Sequence, residues 1–335
     1  MSNTKIFKKV RRRDLRDIYL FGRKIITYSR KSKHIESFDL SMFNYLDKYK
    51  YILNTNLCED YNSSNDSTDL NNDNKKKEFL FQYWNSGESN APDFVKACFK
   101  SIDKYCSNFN IIRLNDGNMQ KYADIPDYIM EKYKEGMITK THFSDYLRTC
   151  LLLKNGGYWC DATVYMTGQI PNEITSSEFF MFKTPSFSML DDRKEGYVPS
   201  MAILDILKDH PFPSDPCICG SSWFLHSKSS NLRLLKLVKL ILDEYWRVES
   251  RLINYALFHY VLTYVVMHDD ISRKIYASLP NLCNFNPHLL LGILYDHFNK
   301  DLFSEISILS PIHKLTYQKH ADIEGTFIEY LLNKS

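Results

Sequence analysis

Cysteine is sparse: Cys58, Cys98, Cys106, Cys150, Cys160, Cys217, Cys219 and Cys283 are scattered through 335 residues. Such spacing excludes a disulfide-stapled scaffold and favours reduced thiols. Cys217 and Cys219 form the one tight pair, and with no second pair a zinc site there would need His210 or His226. A long hydrophobic run is missing too. Leu252 to Met267 is interrupted by Asn254 and His259 and falls short of the roughly 20 apolar residues that span a bilayer, so a buried helix is expected. The charged start runs into Leu15 to Phe21 without an apolar core or a small-residue cleavage site, so no signal peptide is expected. No internal repeat is visible. What the chain does have is 44% hydrophobic and 14% aromatic residues, which excludes disorder throughout. Its length suits two units, or one large α/β domain with helical additions.

The formal charge of +3 conceals an asymmetry. Residues 1–34 hold twelve Lys or Arg against Asp14 and Asp17, whereas the other 301 residues hold 31 basic and 38 acidic groups. In the basic segment Val10, Ile18, Phe21, Ile25 and Ile26 follow a loosely helical pattern. It could lie on an anionic membrane surface, bind nucleic acid, or be a solvated helix face. The acidic remainder, with no recognition motif, argues against nucleic acid.

A helix is expected over Phe38 to Leu53, followed by a polar linker over 59–77. The sequence therefore divides into an arm, helix and linker (1–77) and a larger domain (78–335). There, strands are expected at 79–84, 110–114, 158–165, 178–183 and 221–226. Helices are expected at Pro92 to Cys106, Pro126 to Lys134, Thr141 to Lys154, Leu232 to Arg247, Leu252 to Met267 and Ile323 to Leu332. Strand, helix, strand at the start of this domain predicts a parallel βαβ unit.

The block 141–168, THFSDYLRTCLLLKNGGYWCDATVYMTG, carries the chemistry. On a helical wheel Phe143, Tyr146, Leu147, Cys150, Leu151 and Leu153 fill an apolar arc, with Ser144, Asp145, Arg148 and Thr149 opposite. Asp145 and Arg148, three apart, are neighbours and read as a surface ion pair or as a carboxylate and guanidinium aimed at a ligand. Gly156 and Gly157 stop the helix, and a strand follows through Asp161. Alternation along that strand predicts Asp161 and Thr163 on one side, where a carboxylate and a hydroxyl can share a hard cation.

With these residues in view, the chain resembles the bacterial capsular polysaccharide synthesis proteins, related to glycosyltransferases with a DXD sugar-binding motif. The resemblance rests on FQYWNSGESNAP (81–92) and HFSDYLRTCLLLKNGGYWCDATV (142–164). SSWFLHSKSSN (221–231), EYWRVESRLINYALFH (244–259) and HKLTY (313–317) add to it. It implies a GT-A-type, Rossmann-like mixed sheet flanked by helices, and retaining transfer of a sugar from a nucleotide donor, a UDP-sugar by expectation. Carried over by position, Gln82, Tyr83, Trp84, Ser144, Asp145, Arg148, Gly157 and Lys314 are expected to contact the donor, and Asp145, Arg148 and Asp161 to serve catalysis. Asp161, Thr163 and His313 are expected to hold Mn²⁺ or Mg²⁺. Thr163 stands where distant relatives place a second carboxylate, and Asn254 where the pattern before Tyr-x-x-x-His has an acid.

The acceptor implied is a saccharide or lipid-linked saccharide. A cytoplasmic protein peripheral to the inner face of the bacterial membrane, docked through residues 1–34, would meet it there. Two other readings stand beside this one: a polysaccharide phosphotransferase, and a non-catalytic scaffold of a polysaccharide assembly complex.

Overall fold

A computed structural model describes residues 41–54, 77–184, 218–317 and 323–334 in full, and the backbone alone of three strands within 7–29. Cys58, His210, Cys217 and the polar stretch 59–76 lie outside the described residues. The three strands, β1 (Phe7–Arg12), β2 (Leu15–Leu20) and β3 (Arg23–Ser29), form an antiparallel sheet. The helical expectation for this basic segment is therefore corrected to strand. Its apolar residues fit 3.6-residue spacing only loosely, and pairing between neighbouring strands, which no local period reveals, decides the outcome.

The helix expected over 38–53 is shorter and broken: α1 (Ser41–Leu46), a single 3₁₀ turn, and α2 (Lys50–Leu53). It is no detached appendage. Met42, Phe43, Leu46, Tyr49, Ile52 and Leu53 join the largest buried cluster, and Asp47 accepts a hydrogen bond from the Tyr264 hydroxyl at 2.9 Å.

The predicted βαβ unit is present as β4 (Phe79–Tyr83), α3 (Asp93–Tyr105) and β5 (Asn110–Leu114). Next come α4 (Asp127–Lys134), α5 (Lys140–Asn155), β6 (Gly157–Cys160), β7 (Val164–Met166), α6 (Asn172–Thr175), β8 (Phe179–Lys183) and β9 (Gly220–Ser227). The described chain continues through α7 (Arg233–Val248), α8 (Leu257–His268), α9 (Asp270–Ala277), α10 (Leu289–Gly292), α11 (Lys300–Leu309), β10 (Ile312–Lys314) and α12 (Phe327–Lys334).

The main sheet has the order β5-β4-β6-β9-β8, the first three strands parallel and the last two joined antiparallel, flanked by helices. This is the mixed, Rossmann-like α/β arrangement. Its register separates two faces. Phe81, Trp159, Leu225 and Met181 align across four strands and pack in the cluster that holds α5, α7 and α8. The alternate residues Leu80, Tyr158 and Phe180 pack on the other side with Ile102 of α3. Burial on both faces is why these strands read as apolar runs. β7 leaves this sheet and pairs with β10 instead.

Three boundaries differ from expectation for local reasons. The strand expected over 158–165 breaks after Cys160, where the Asp161 carbonyl accepts from the Val164 amide at 3.0 Å and closes a turn. The helix expected from Leu252 starts at Leu257, because the Asn254 side chain accepts from the Ala256 amide at 2.7 Å and holds a turn. The last helix starts at Phe327, past Gly325 with φ of 70°.

At the head of β6, Gly157 has φ of 85°, and a Cβ there would lie 2.4 Å from the Phe79 carbonyl oxygen. Left-handed backbone and close approach to β4 both demand glycine. Gly157→Ala is expected to cost at least about 3 kcal/mol through strain and strand displacement. Chemical denaturation measures it; an unchanged midpoint would contradict the close approach.

Candidate functional site

The parallel strands β5, β4 and β6 end side by side, and their C-terminal ends deliver Asp116, Trp84 and Asp161 to one edge of the sheet. Such an edge is where open α/β sheets bind ligands. Asp161 is fixed by its neighbours: its amide donates to the Trp223 carbonyl at 2.9 Å. Its Oδ1 accepts from the Trp159 indole at 2.8 Å and from Arg148 at 3.3 Å, and its Oδ2 accepts from Lys314 Nζ at 2.8 Å. The same ammonium donates to Thr163 Oγ1 at 2.8 Å. Asp161 and Thr163 thus come together as expected, through a turn rather than by alternation along one strand.

α5 explains how charge is brought so deep. Thr139 caps it, accepting from the His142 amide at 3.4 Å, and from His142 to Leu153 every residue but Ser144 is buried. Asp145 and Arg148 therefore form an interior pair, 3.0 Å apart, with side chains 10% and 4% exposed. Arg148 also donates to the Ser222 carbonyl at 2.6 Å and to Ser144 Oγ at 3.2 Å, and lies 4.9 Å from the Trp159 ring centroid. Ser222 Oγ donates to Asp145 Oδ1 at 3.3 Å. Removing one member of such a pair strands a buried charge, at about 3–5 kcal/mol.

The result is a chain of alternating charge, Asp145, Arg148, Asp161 and Lys314, running outward from the core. Asp161 and Lys314 have side chains 22% and 20% exposed and form its solvent end. Burial works to raise the Asp161 carboxyl, but Lys314 and Arg148 beside it, with hydrogen bonds from Lys314 and Trp159, hold it below the usual carboxylate range. It is an anion at neutral pH.

The other expected donor contacts divide. Tyr83 donates to Asp116 Oδ1 at 2.5 Å and its hydroxyl lies 3.1 Å from that of Tyr133, while Trp84, half-buried, packs on a different cluster, with residues of α3, α10, α11 and α12. Gln82 is fully buried, its amide nitrogen 3.8 Å from Cys160 Sγ, and does not reach this edge. Gly157 lies at the opposite end of β6 from Asp161, where its work is the close approach to β4.

A divalent cation does not fit the residues present. The space between Asp161 Oδ2 and Thr163 Oγ1 is spanned by the Lys314 ammonium, and Asp161 Oδ1 already accepts two hydrogen bonds. His313 is not brought to Asp161. Consecutive residues of a strand face opposite ways, and His313 Nε2 lies 3.0 Å from Thr167 Oγ1, fully buried, its pKa pushed down to about 3 by burial. Hard cations want several oxygen ligands, and among the described residues no three His, Cys, Asp or Glu converge to hold a metal. Of the zinc candidates, Cys219 is buried with a raised pKa, and His226 stacks on Tyr158.

Two residues escaped the sequence reading. Asp116 sits in the turn after β5, and the Asn-Asp-Gly at 115–117 was its only signal. His259 of α8 has a buried Nδ1 without a hydrogen-bond partner. Burial, and then Arg148, lower its pKa against the opposing pull of Asp145 and Asp161. Its signal was the final residue of Tyr-x-x-x-His.

Among the described residues no helix is long and apolar enough to cross a membrane. A family described as capsular polysaccharide synthesis protein matches residues 18–331. The match begins well ahead of Glu78, from which the recognisable motifs run, and takes in β3, α1 and α2. No curated protein matches the chain.

Proposed function

The chain belongs to the capsular polysaccharide synthesis protein family, and from that premise we propose that it is a glycosyltransferase, moving a sugar from a nucleotide donor to a saccharide acceptor. The observation that carries the reading is the Lys314 ammonium, held by Asp161 and Thr163 at the C-terminal edge of the parallel strands. A departing nucleoside diphosphate needs preorganised positive charge, commonly the largest catalytic term. Lys314 is the cation of the site with access to solvent, whereas Arg148 spends its donors on Asp145, Asp161, Ser144 and Ser222.

On donor binding, the sugar hydroxyls take Asp161 as acceptor and Lys314 turns to the diphosphate. Asp145 and Arg148 are positioning residues, since they fix Asp161 from within the core. In this reading the base and ribose fall to Trp84 and to Asp116, which Tyr83 holds by a hydrogen bond. Transfer proceeds with retention: the acceptor hydroxyl enters on the leaving-group face and gives its proton to the departing phosphate.

A panel of nucleotide sugars tests the reading. One donor is expected to release free nucleoside diphosphate and pass its sugar to an acceptor. Transfer of a phosphosugar with release of the nucleoside monophosphate would instead favour phosphotransfer, and no turnover of any donor would favour a scaffold.

A further inference from the structure

Beyond the end of β7 lies a groove of about 540 Å³ between α3 on one side and α11 and α12 on the other. Its size is that of a ligand site. Lys100 and Lys104, one turn apart on α3, face it together with Lys300 of α11 and Lys334 of α12, and no Asp or Glu lines it. We propose that this groove binds an anionic saccharide chain, the growing acceptor, as a subsite separate from the donor edge; the identification as acceptor rests on the sugar-transfer reading.

Two of these lysines, Lys104 and Lys334, sit against aromatic rings. Lys104 Nζ lies 5.1 Å from the Tyr105 ring centroid, and Lys334 Nζ lies 4.8 Å from that of Tyr330 and donates to its hydroxyl, so tyrosines hold these two ammoniums. Asp103, between the two α3 lysines in sequence, turns to Arg113 at 2.7 Å instead. Lys104, Lys300 and Lys334 gather positive charge around one cavity, an arrangement that favours a bound polyanion. Tyr105 and Tyr330 add ring surface suited to sugars, which a site for a bare inorganic anion would not require.

The position fits an acceptor. Tyr165, Met166 and Thr167 line the groove, and Thr163, which accepts from Lys314, stands in the turn that leads directly into β7. At about 3.3 Å per residue of strand, Thr163 and Thr167 are at most about 13 Å apart. Lys104 and Tyr105 close α3 at the end away from the reacting edge, so a chain of several sugars laid along β7 is needed to join the groove to it.

The test uses the full chain and calorimetric titration with oligogalacturonate, with a phosphate-linked hexose oligomer, with neutral dextran oligosaccharide, and with anionic phospholipid vesicles. At least one of the two anionic oligomers is expected to bind, and the stronger identifies carboxylate or phosphate as the recognised group. The double variant K104E/K300E, both sites exposed, is expected to weaken that binding about tenfold or more while leaving nucleotide-sugar hydrolysis and the melting temperature unchanged. Equal binding of dextran, an unaffected double variant, or binding confined to anionic phospholipid vesicles would overturn the subsite. The two readings fail separately. Donor hydrolysis without groove binding rejects the groove alone, and lysine-dependent oligomer binding without turnover of any nucleotide sugar removes the acceptor role while the anion subsite stands.

Discussion

Asp161→Asn is expected to lower sugar transfer by about 10²- to 10³-fold, the scale of losing one preorganised electrostatic group, while the protein remains folded. The amide keeps the shape and can still accept from Trp159, so the loss reports charge rather than collapse. Lys314 and Arg148 then lack their shared carboxylate, and the ammonium drifts from the position proposed to meet a diphosphate. The pH dependence of stability provides a second readout. The Asp161 carboxyl is held below its ordinary value when folded, so it contributes stability above the unfolded pKa of about 3.9 and loses it as pH falls through the folded value. In Asp161→Asn that contribution is absent, and acid denaturation follows a flatter course in that range. Turnover at the native rate, with donor and acceptor saturating, would refute the assignment of Asp161.

Lys314→Met is expected to reduce transfer by about 10²-fold or more, and the native protein is expected to keep its rate in excess EDTA. Both outcomes follow from one geometric fact: the ammonium spans the two oxygens that a divalent cation would otherwise bridge. Methionine preserves most of the side-chain length and apolar stem, so packing against β7 is retained while the charge is removed. Native activity abolished by EDTA and restored by Mn²⁺, with Lys314→Met unimpaired, would reverse the roles of lysine and metal. Melting curves on the variant separate a loss of chemistry from a loss of fold.

The βαβ unit and the central helix α5 were legible because their signals are local: apolar runs of strand length, a 3.6-residue period, and glycines at the helix end. Asp145, Arg148 and Asp161 stood out for the same reason. The wheel did not disclose that the polar side of α5 is covered too, because the cover comes from Ser222 of β9 and Phe258 of α8, far away in sequence. Lys314 became visible only through the resemblance in HKLTY, since nothing near it announces a partner some 150 residues earlier. His313 shared that motif, and strand alternation sends it the other way. The basic segment shows the reverse failure. A weak local period suggested helix, whereas registry between strands, with Phe7 opposite Leu20 and Leu15 opposite Ser29, makes a meander.

The Lys314 to Asp161 bond also links three clusters of the core. Trp159, which donates to Asp161, belongs to the large cluster under α5 and α8. Ile312 and Leu315, which flank Lys314, belong to the two other clusters, beside α3 and α11. One bond thus ties a carboxylate anchored through Trp159 in the first cluster to an ammonium carried on the strand between the other two. A ligand that draws Lys314 away from Asp161 would break a link between clusters, so its binding would register in the packing on both sides of the site.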